Sequence, residues 1–185
     1  MPALVTIAII GGVVLLWAVA AYNGLVRLRN QVRNGWSQID VQLKRRHDLI
    51  PNLVETVKGY AGHEKETLEN VVQARSQAVS AQGVASQARA EGELSQALGR
   101  LMLVVEQYPD LKANQNFLAL QEELTSTENK ISFARQFYND GVMTYNTKVQ
   151  SVPTNIIAGL FKFEEEEFFE LEDQAEREVP KVSFS

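Results

Sequence analysis

From Met1 to Val26 the chain reads MPALVTIAIIGGVVLLWAVAAYNGLV, without a single charged side chain. Between Ala3 and Tyr22 it is almost wholly apolar. About 20 such residues, at ~1.5 Å each, cross the roughly 30 Å hydrocarbon core of a bilayer. Thr6 is easily accommodated there, and Gly11 and Gly12 suit a membrane helix better than a soluble one. Residues 1–22 therefore read as a transmembrane anchor. The competing reading is a cleaved secretory signal, with Ala18-Val19-Ala20 as its small-residue cleavage site. A signal peptide carries its basic residues ahead of the apolar run. Here none precede it, and Arg27, Arg29 and Arg33 follow. Residues 23–46 add Lys44, Arg45 and Arg46 against Asp40 alone. Lys and Arg stay on the cytoplasmic side. The expectation is a single-pass cell-membrane protein, amino terminus outside and the rest cytoplasmic.

Charge is distributed unevenly over the remainder. The net charge of −5 comes from 23 acids and 18 bases. From Lys162 to Ser185 there are nine acids and three bases, a net of −6, which leaves +1 for everything before it. A nearly neutral body with an acidic end gives no nucleic-acid footprint, so no nucleic-acid partner is expected. With no cysteine, disulfides, thiol nucleophiles and thiolate metal sites are excluded.

Beyond the anchor, apolar residues recur in threes and fours: Leu25, Leu28, Val32, Trp36, Ile39, Leu43, Ile50, Val54, Val57 and Ala61. That spacing is one buried stripe on an α-helix. Pro51 should interrupt it, yet the stripe keeps its phase from Leu43 to Val54, so the helix is expected to kink and continue. Only Arg46 and His47 break the stripe. Gly59 and Gly62 end this element, and a second begins near His63-Glu64 with Leu68, Val71, Val72, Arg75 and Val79 on its inner face. Residues 80–93 are Ala, Gly, Gln and Ser with few large apolar groups, and read as a loose connection or weakened helix. Periodicity returns at Leu94, Leu98, Leu101, Val104 and Val105, and stops at Tyr108-Pro109-Asp110. A third long element, about 111–152, carries Phe117, Leu120, Leu124, Ile131, Ala134, Tyr138, Val142, Tyr145 and Val149. A short apolar piece with Ile156, Ile157, Leu160, Phe161 and Phe163 follows Pro153.

The three long elements come out at ~57, ~66 and ~60 Å, the second counted as unbroken. Matched lengths and short links predict an all-α protein: an anchor helix continuous with an antiparallel up-down bundle of three long helices and a short fourth. The expected divisions are the anchor over 1–22, the bundle over 23–161 and a flexible acidic tail over 162–185. Coiled-coil dimerisation is the rival, because each stripe could zip to a partner chain. The punctuation at Gly59, Gly62 and Pro109 favours the intrachain bundle.

The run from Trp36 through Asp40, Arg46, Asp48, Pro51-Asn52 and Glu55 to Val57 resembles the signature of the LemA family. Tyr22-Asn23, Tyr60-Ala61, His63-Glu64, Ala74-Arg75, Glu106, Tyr108-Pro109, Glu128, Ile131, Arg135, Tyr138-Asn139, Tyr145-Asn146 and Pro153 extend it, in order, to about Phe161. The resemblance implies a membrane-anchored antiparallel helical bundle, without established enzymatic activity or known catalytic residues. The family's magnetosome-membrane relatives point to membrane organisation or scaffolding.

A buried charge needs a partner, since an unpaired one costs several kcal/mol. Glu128 and Arg135 lie seven residues apart on or beside one apolar stripe, and Arg45-Arg46-His47-Asp48 precedes Pro51. The expectation is an inter-helix network drawing on Asp40, Arg45, Arg46, Arg75, Glu128 and Arg135, with Asp48 beside it, which sets helix register. The same seam is the candidate partner site. His47 and His63 form no chelating pair, and there is no phosphate loop or nucleophile elbow. No metal, cofactor, small-molecule substrate or catalysis is expected. The partners expected are the membrane, other membrane proteins and further copies of the chain.

Overall fold

The computed structural model describes residues 2–170, and every regular element among them is a helix. The elements are α1 (Pro2–Lys58), α2 (Lys65–Ser80), α3 (Val84–Val105), α4 (Pro109–Lys112), α5 (Gln115–Gln150) and α6 (Thr154–Leu160). Among the described residues one helix is long and apolar enough to cross a membrane, and it is α1. Its first residues bury nothing: Leu4, Ile7, Ile9, Val13 and Leu16 are all exposed.

The chain divides into two compact units. The first comprises residues 1–40 and 133–168. Here the α1 stripe (Leu25, Val32, Ile39) is buried, as are Ala134, Tyr138, Val142 and Tyr145 of α5, Ile157 and Ala158 of α6, and Phe163. Gly35 sets the spacing of the two long helices. A Cβ there would lie 3.2 Å from the Cα of Tyr138, so the backbones meet where a larger side chain would have to push them apart. Trp36 packs on the Tyr138 ring with centroids 5.7 Å apart.

The segment after α6 belongs to this unit too. The Tyr138 hydroxyl donates to the carbonyl of Glu167 at 2.7 Å. Asn146 both donates to the carbonyl of Glu166 and accepts from its N–H, each at 2.9 Å. The acidic segment, expected to be free from residue 162, is thus held along its first residues; residues 171–185 lie outside the described residues. Burial raises the Tyr138 phenol to about 12, reinforced by the negative charges of Glu166 and Glu167. The neutral form is favoured in the folded state, so its stabilisation is complete below the ordinary value of 10.0 and is lost as pH climbs towards about 12. Tyr138→Phe should cost about 1 kcal/mol at neutral pH through the lost hydrogen bond. It should also shrink the fall in melting temperature between about pH 9 and about pH 11. An unchanged fall would show that the phenol does not set alkaline sensitivity.

The second unit takes residues 41–132 and, among the described residues, 169–170. Its core joins Ile50, Leu53, Val57 and Ala61 to Leu68, Val71, Ala74 and Ala78 of α2, Leu94, Leu98, Leu101 and Val105 of α3, Leu111 and Phe117. The second long element expected from sequence is instead a hairpin. α2 and α3 pack against each other across a link of three residues, Ala81 to Gly83. Gly83 adopts φ +83°, a left-handed backbone that side-chain-bearing residues rarely accept. The stretch 84–93 is helix, because alanine has the best helix propensity and Ala88 and Ala90 are buried against the core. Val72 and Val79 face outward, and Ala74 and Ala78 take the inner positions on α2.

Asn114 opens α5. Its Oδ1 accepts from the Phe117 N–H at 3.1 Å, capping one of the helix's free donors, and its amide donates to the Tyr60 hydroxyl at 2.9 Å.

Candidate functional site

The one densely polar place in the core of the second unit begins with a proline. α1 runs through Pro51, which has no N–H to offer the carbonyl of His47, four residues back. Arg75 of α2 takes that carbonyl, its Nε donating at 2.7 Å. The cation thereby satisfies an acceptor that the proline left open. The same turn of α1 carries Arg46 and His47 inward, 4% and 8% exposed.

Both meet Glu91 of α3, itself 1% exposed. Nε2 of His47 lies 2.7 Å from Glu91 Oε1, and Arg46 Nη1 lies 3.3 Å from Oε2. As a carboxylate accepts only, His47 presents its Nε2–H to it. Gln87 donates to the same Oε1 at 3.0 Å and to the carbonyl of Ala78 at 3.0 Å, tying the carboxylate to the end of α2. The second Arg46 nitrogen donates to Ser95 Oγ at 2.8 Å and lies 3.4 Å from Glu128 Oε2. A buried carboxylate of α3 thus answers both a buried guanidinium and an imidazole of α1, with the Ala78 carbonyl of α2 and Glu128 of α5 at its margins. Breaking one member of such a set leaves a charge stranded in low dielectric.

On the α3–α5 side, a cleft of about 330 Å³ opens beside this cluster, lined by Arg46, Ser95, Leu98, Met102, Leu124 and Glu128 among others. Arg46 and Glu128 are its charged groups, and the remainder of that lining is largely apolar or small.

The residues singled out from sequence are distributed as follows. Arg46 is central. Arg75 bonds to backbone rather than to a carboxylate. Glu128, expected to be the buried brace, has a half-exposed side chain (48%) and is the outermost partner of Arg46. Arg45 points outward and pairs with Glu123, both side chains about half exposed. Asp48 and Asp40 are exposed, Arg135 half-buried. Asp40 and Arg135 fall in the first unit and do not join the cluster. Glu91 and Gln87 were missed, because both lie in the stretch read as loose. The signal was there: 87, 91, 94, 98, 101 and 105 continue one helical stripe, and Glu91 occupies a core position on it.

Comparison with known proteins agrees with this reading of the residues. The model of the LemA family matches residues 35–184. The chain belongs to the LemA family. The match leaves the apolar start of α1 outside and continues into the acidic segment, whereas the motifs read from sequence ran from Tyr22 to about Phe161. Among curated relatives, Protein LemA of Metamycoplasma hominis is 30% identical over 137 residues, 74% of this chain. Magnetosome protein MamQ of Magnetospirillum gryphiswaldense is 26% identical over 174 residues, covering 80% of this chain. Magnetosome protein MamQ 1 of Paramagnetospirillum magneticum is 26% identical over 175, again 80%. The chain spans just under two thirds of the length of these relatives, 63% of the first and 64% of the others. Family and apolar helix together describe a membrane-associated helical protein.

Proposed function

We propose that this LemA-family chain is a membrane-anchored scaffold or adaptor, working by binding proteins or its own copies rather than by turning over a substrate. The anchor spans the cell membrane with its amino terminus outside, and the helical units project into the cytoplasm. The observation that carries this reading is the state of the buried polar cluster. Glu91 is shared by Arg46 and His47, and all three are buried inside the helix packing, an arrangement that fixes helix register. The relatives named as magnetosome proteins favour the same role by analogy.

A second reading has its own observation. The cleft beside Arg46 and Glu128, with Arg45 and Asp48 exposed nearby on α1, offers a charged, half-apolar seat on one face of the second unit. A subunit of a membrane enzyme such as a protease, docked there, would make this chain its accessory or regulator.

Affinity purification of full-length protein from solubilised membranes, followed by mass spectrometry and native sizing, separates the two. A ladder of self-assembled species or several bound proteins supports the scaffold. One stoichiometric membrane enzyme supports the accessory role. A monomer without companions, in detergents that preserve known complexes, would sink both. A cytoplasm-only reporter fused after Ser185 should be active, and activity solely from an exported reporter would reverse the orientation.

A further inference from the structure

Within the first unit, the register of α1 against α5 locates α6 relative to the anchor. A Cβ at Gly35 would touch Tyr138, and one at Gly141 would touch Val32. Three residues back along α1 match three residues forward along α5, as antiparallel helices of equal rise require. Continued at that rate, the end of α5 at Gln150 comes level with Asn23, and residue 151 with Tyr22. Direct contact agrees. The Tyr22 ring packs edge-on against Phe161 with centroids 4.8 Å apart, and against Phe163 at 5.6 Å. Tyr22 closes the apolar run, and tyrosine is a residue of membrane–water boundaries. α6 therefore sits at the height where the anchor leaves the hydrocarbon.

The helix is two-faced there. Thr154, Ile157 and Ala158 are buried against the unit. Ile156 and Leu160, four residues apart, are 65% and 73% exposed; Val152 just before the helix is 80% exposed and Phe161 just after it 52%. Lys162, directly after Phe161, is exposed at this level and suited to phosphate headgroups. The acids that follow do not oppose this placement. The chain leaves Phe161 beside Tyr22 and reaches Glu166 at Asn146 and Glu167 at Tyr138, climbing away from the anchor.

We infer that α6 is a second membrane contact: its Ile156–Leu160 face, with the flanking Phe161, lies in the interfacial layer of the bilayer that α1 spans. This rests on the anchor reading. The occupant is lipid because the face is continuous with a lipid-facing helix at the same height. Such a contact makes the first unit stand in a fixed orientation on the membrane.

The chain has no cysteine, so single ones can be placed at will. The test uses Ile156→Cys and Leu160→Cys, with Leu15→Cys in the anchor and Gln136→Cys on the exposed side of α5 as references. Each carries an environment-sensitive fluorophore in full-length protein, in nanodiscs of phosphatidylcholine and phosphatidylglycerol. Lipids bearing a nitroxide ~5–10 Å below the headgroup boundary should remove about half the emission at 156 and 160, and little at 136. Nitroxides near the bilayer centre should quench Leu15→Cys. Quenching at 15 without quenching at 156 and 160 overturns this inference alone. No quenching at 15 overturns the anchor reading beneath it. Labels at 156 and 160 shielded from water yet untouched by lipid quenchers would show another protein surface on α6, and also overturn it.

Discussion

Glu91→Ala is expected to lower the melting temperature of the full chain by roughly 10 °C, through a loss on the order of 3–5 kcal/mol. The carboxylate is the shared acceptor of Arg46, His47 and Gln87. Its removal leaves the Arg46 guanidinium buried with Ser95 and only a half-exposed, solvent-screened Glu128 as counter-charge. Glu128→Ala, by contrast, removes a solvent-screened partner and should cost under about 1 kcal/mol. The order of the two variants decides which acid is the brace. Arg46→Met combined with Glu91→Leu removes both charges and fills their volume, and should recover most of the loss in a double-mutant cycle. Thermal unfolding in detergent, followed by circular dichroism, measures all four. Equal melting of Glu91→Ala and parent would show that the cluster does not hold the second unit.

Phe117→Ala should cost about 3–5 kcal/mol, because a ring 1% exposed at the start of α5 leaves a cavity in the shared core. The neighbouring Asn114→Ala should cost about 1 kcal/mol, the usual value of an N-cap. Asn114→Asp keeps the oxygen that accepts from Phe117 but loses the amide that donates to Tyr60, and should fall between parent and Asn114→Ala. Chemical denaturation gives the three values directly. If Asn114→Ala proved the worse of the two alanine variants, the turn from α4 to α5, and not the packed ring, would govern this end of the unit.

Periodicity made α1 readable over its whole length. Leu25, Val32, Ile39, Leu43, Ile50, Val54 and Val57 are buried, as is Ala61 just past its end, while Leu28 and Trp36 of the same stripe are half-buried. The end at Lys58, the stop after Val105 and the stripe of α5 from Phe117 to Tyr145 were equally plain. What failed was the length argument. A helix hairpin and one long helix have the same composition except at the link, and only Gly83 marked the turn. Alanine hid the rest, since Ala74, Ala78, Ala88 and Ala90 bury too little area to stand out in a sequence yet set how closely helices approach. In the cluster, Arg46 and His47 announced themselves as polar breaks in an apolar stripe. Glu91 did not, because its own stripe is apolar only on one side of it. Which acid answers a buried arginine is a tertiary fact, and sequence spacing within single helices does not contain it.

The bond from Arg75 to the His47 carbonyl and the Arg46–Glu91–His47 contacts also constrain how this protein can diverge. A lineage that loses Glu91 first must pass through a state weakened by several kcal/mol, against a total stability that is typically only 5–15. Losing Arg46 first leaves the acid stranded instead. The passable route is concerted replacement, so these positions should be inherited as a block. Pro51 and Arg75 form a smaller block of the same kind, since a residue with an N–H at 51 would reclaim the His47 carbonyl and release the arginine. Among relatives as distant as 26–30% identity, residues 46, 47 and 91 should be retained or exchanged together, and so should 51 and 75.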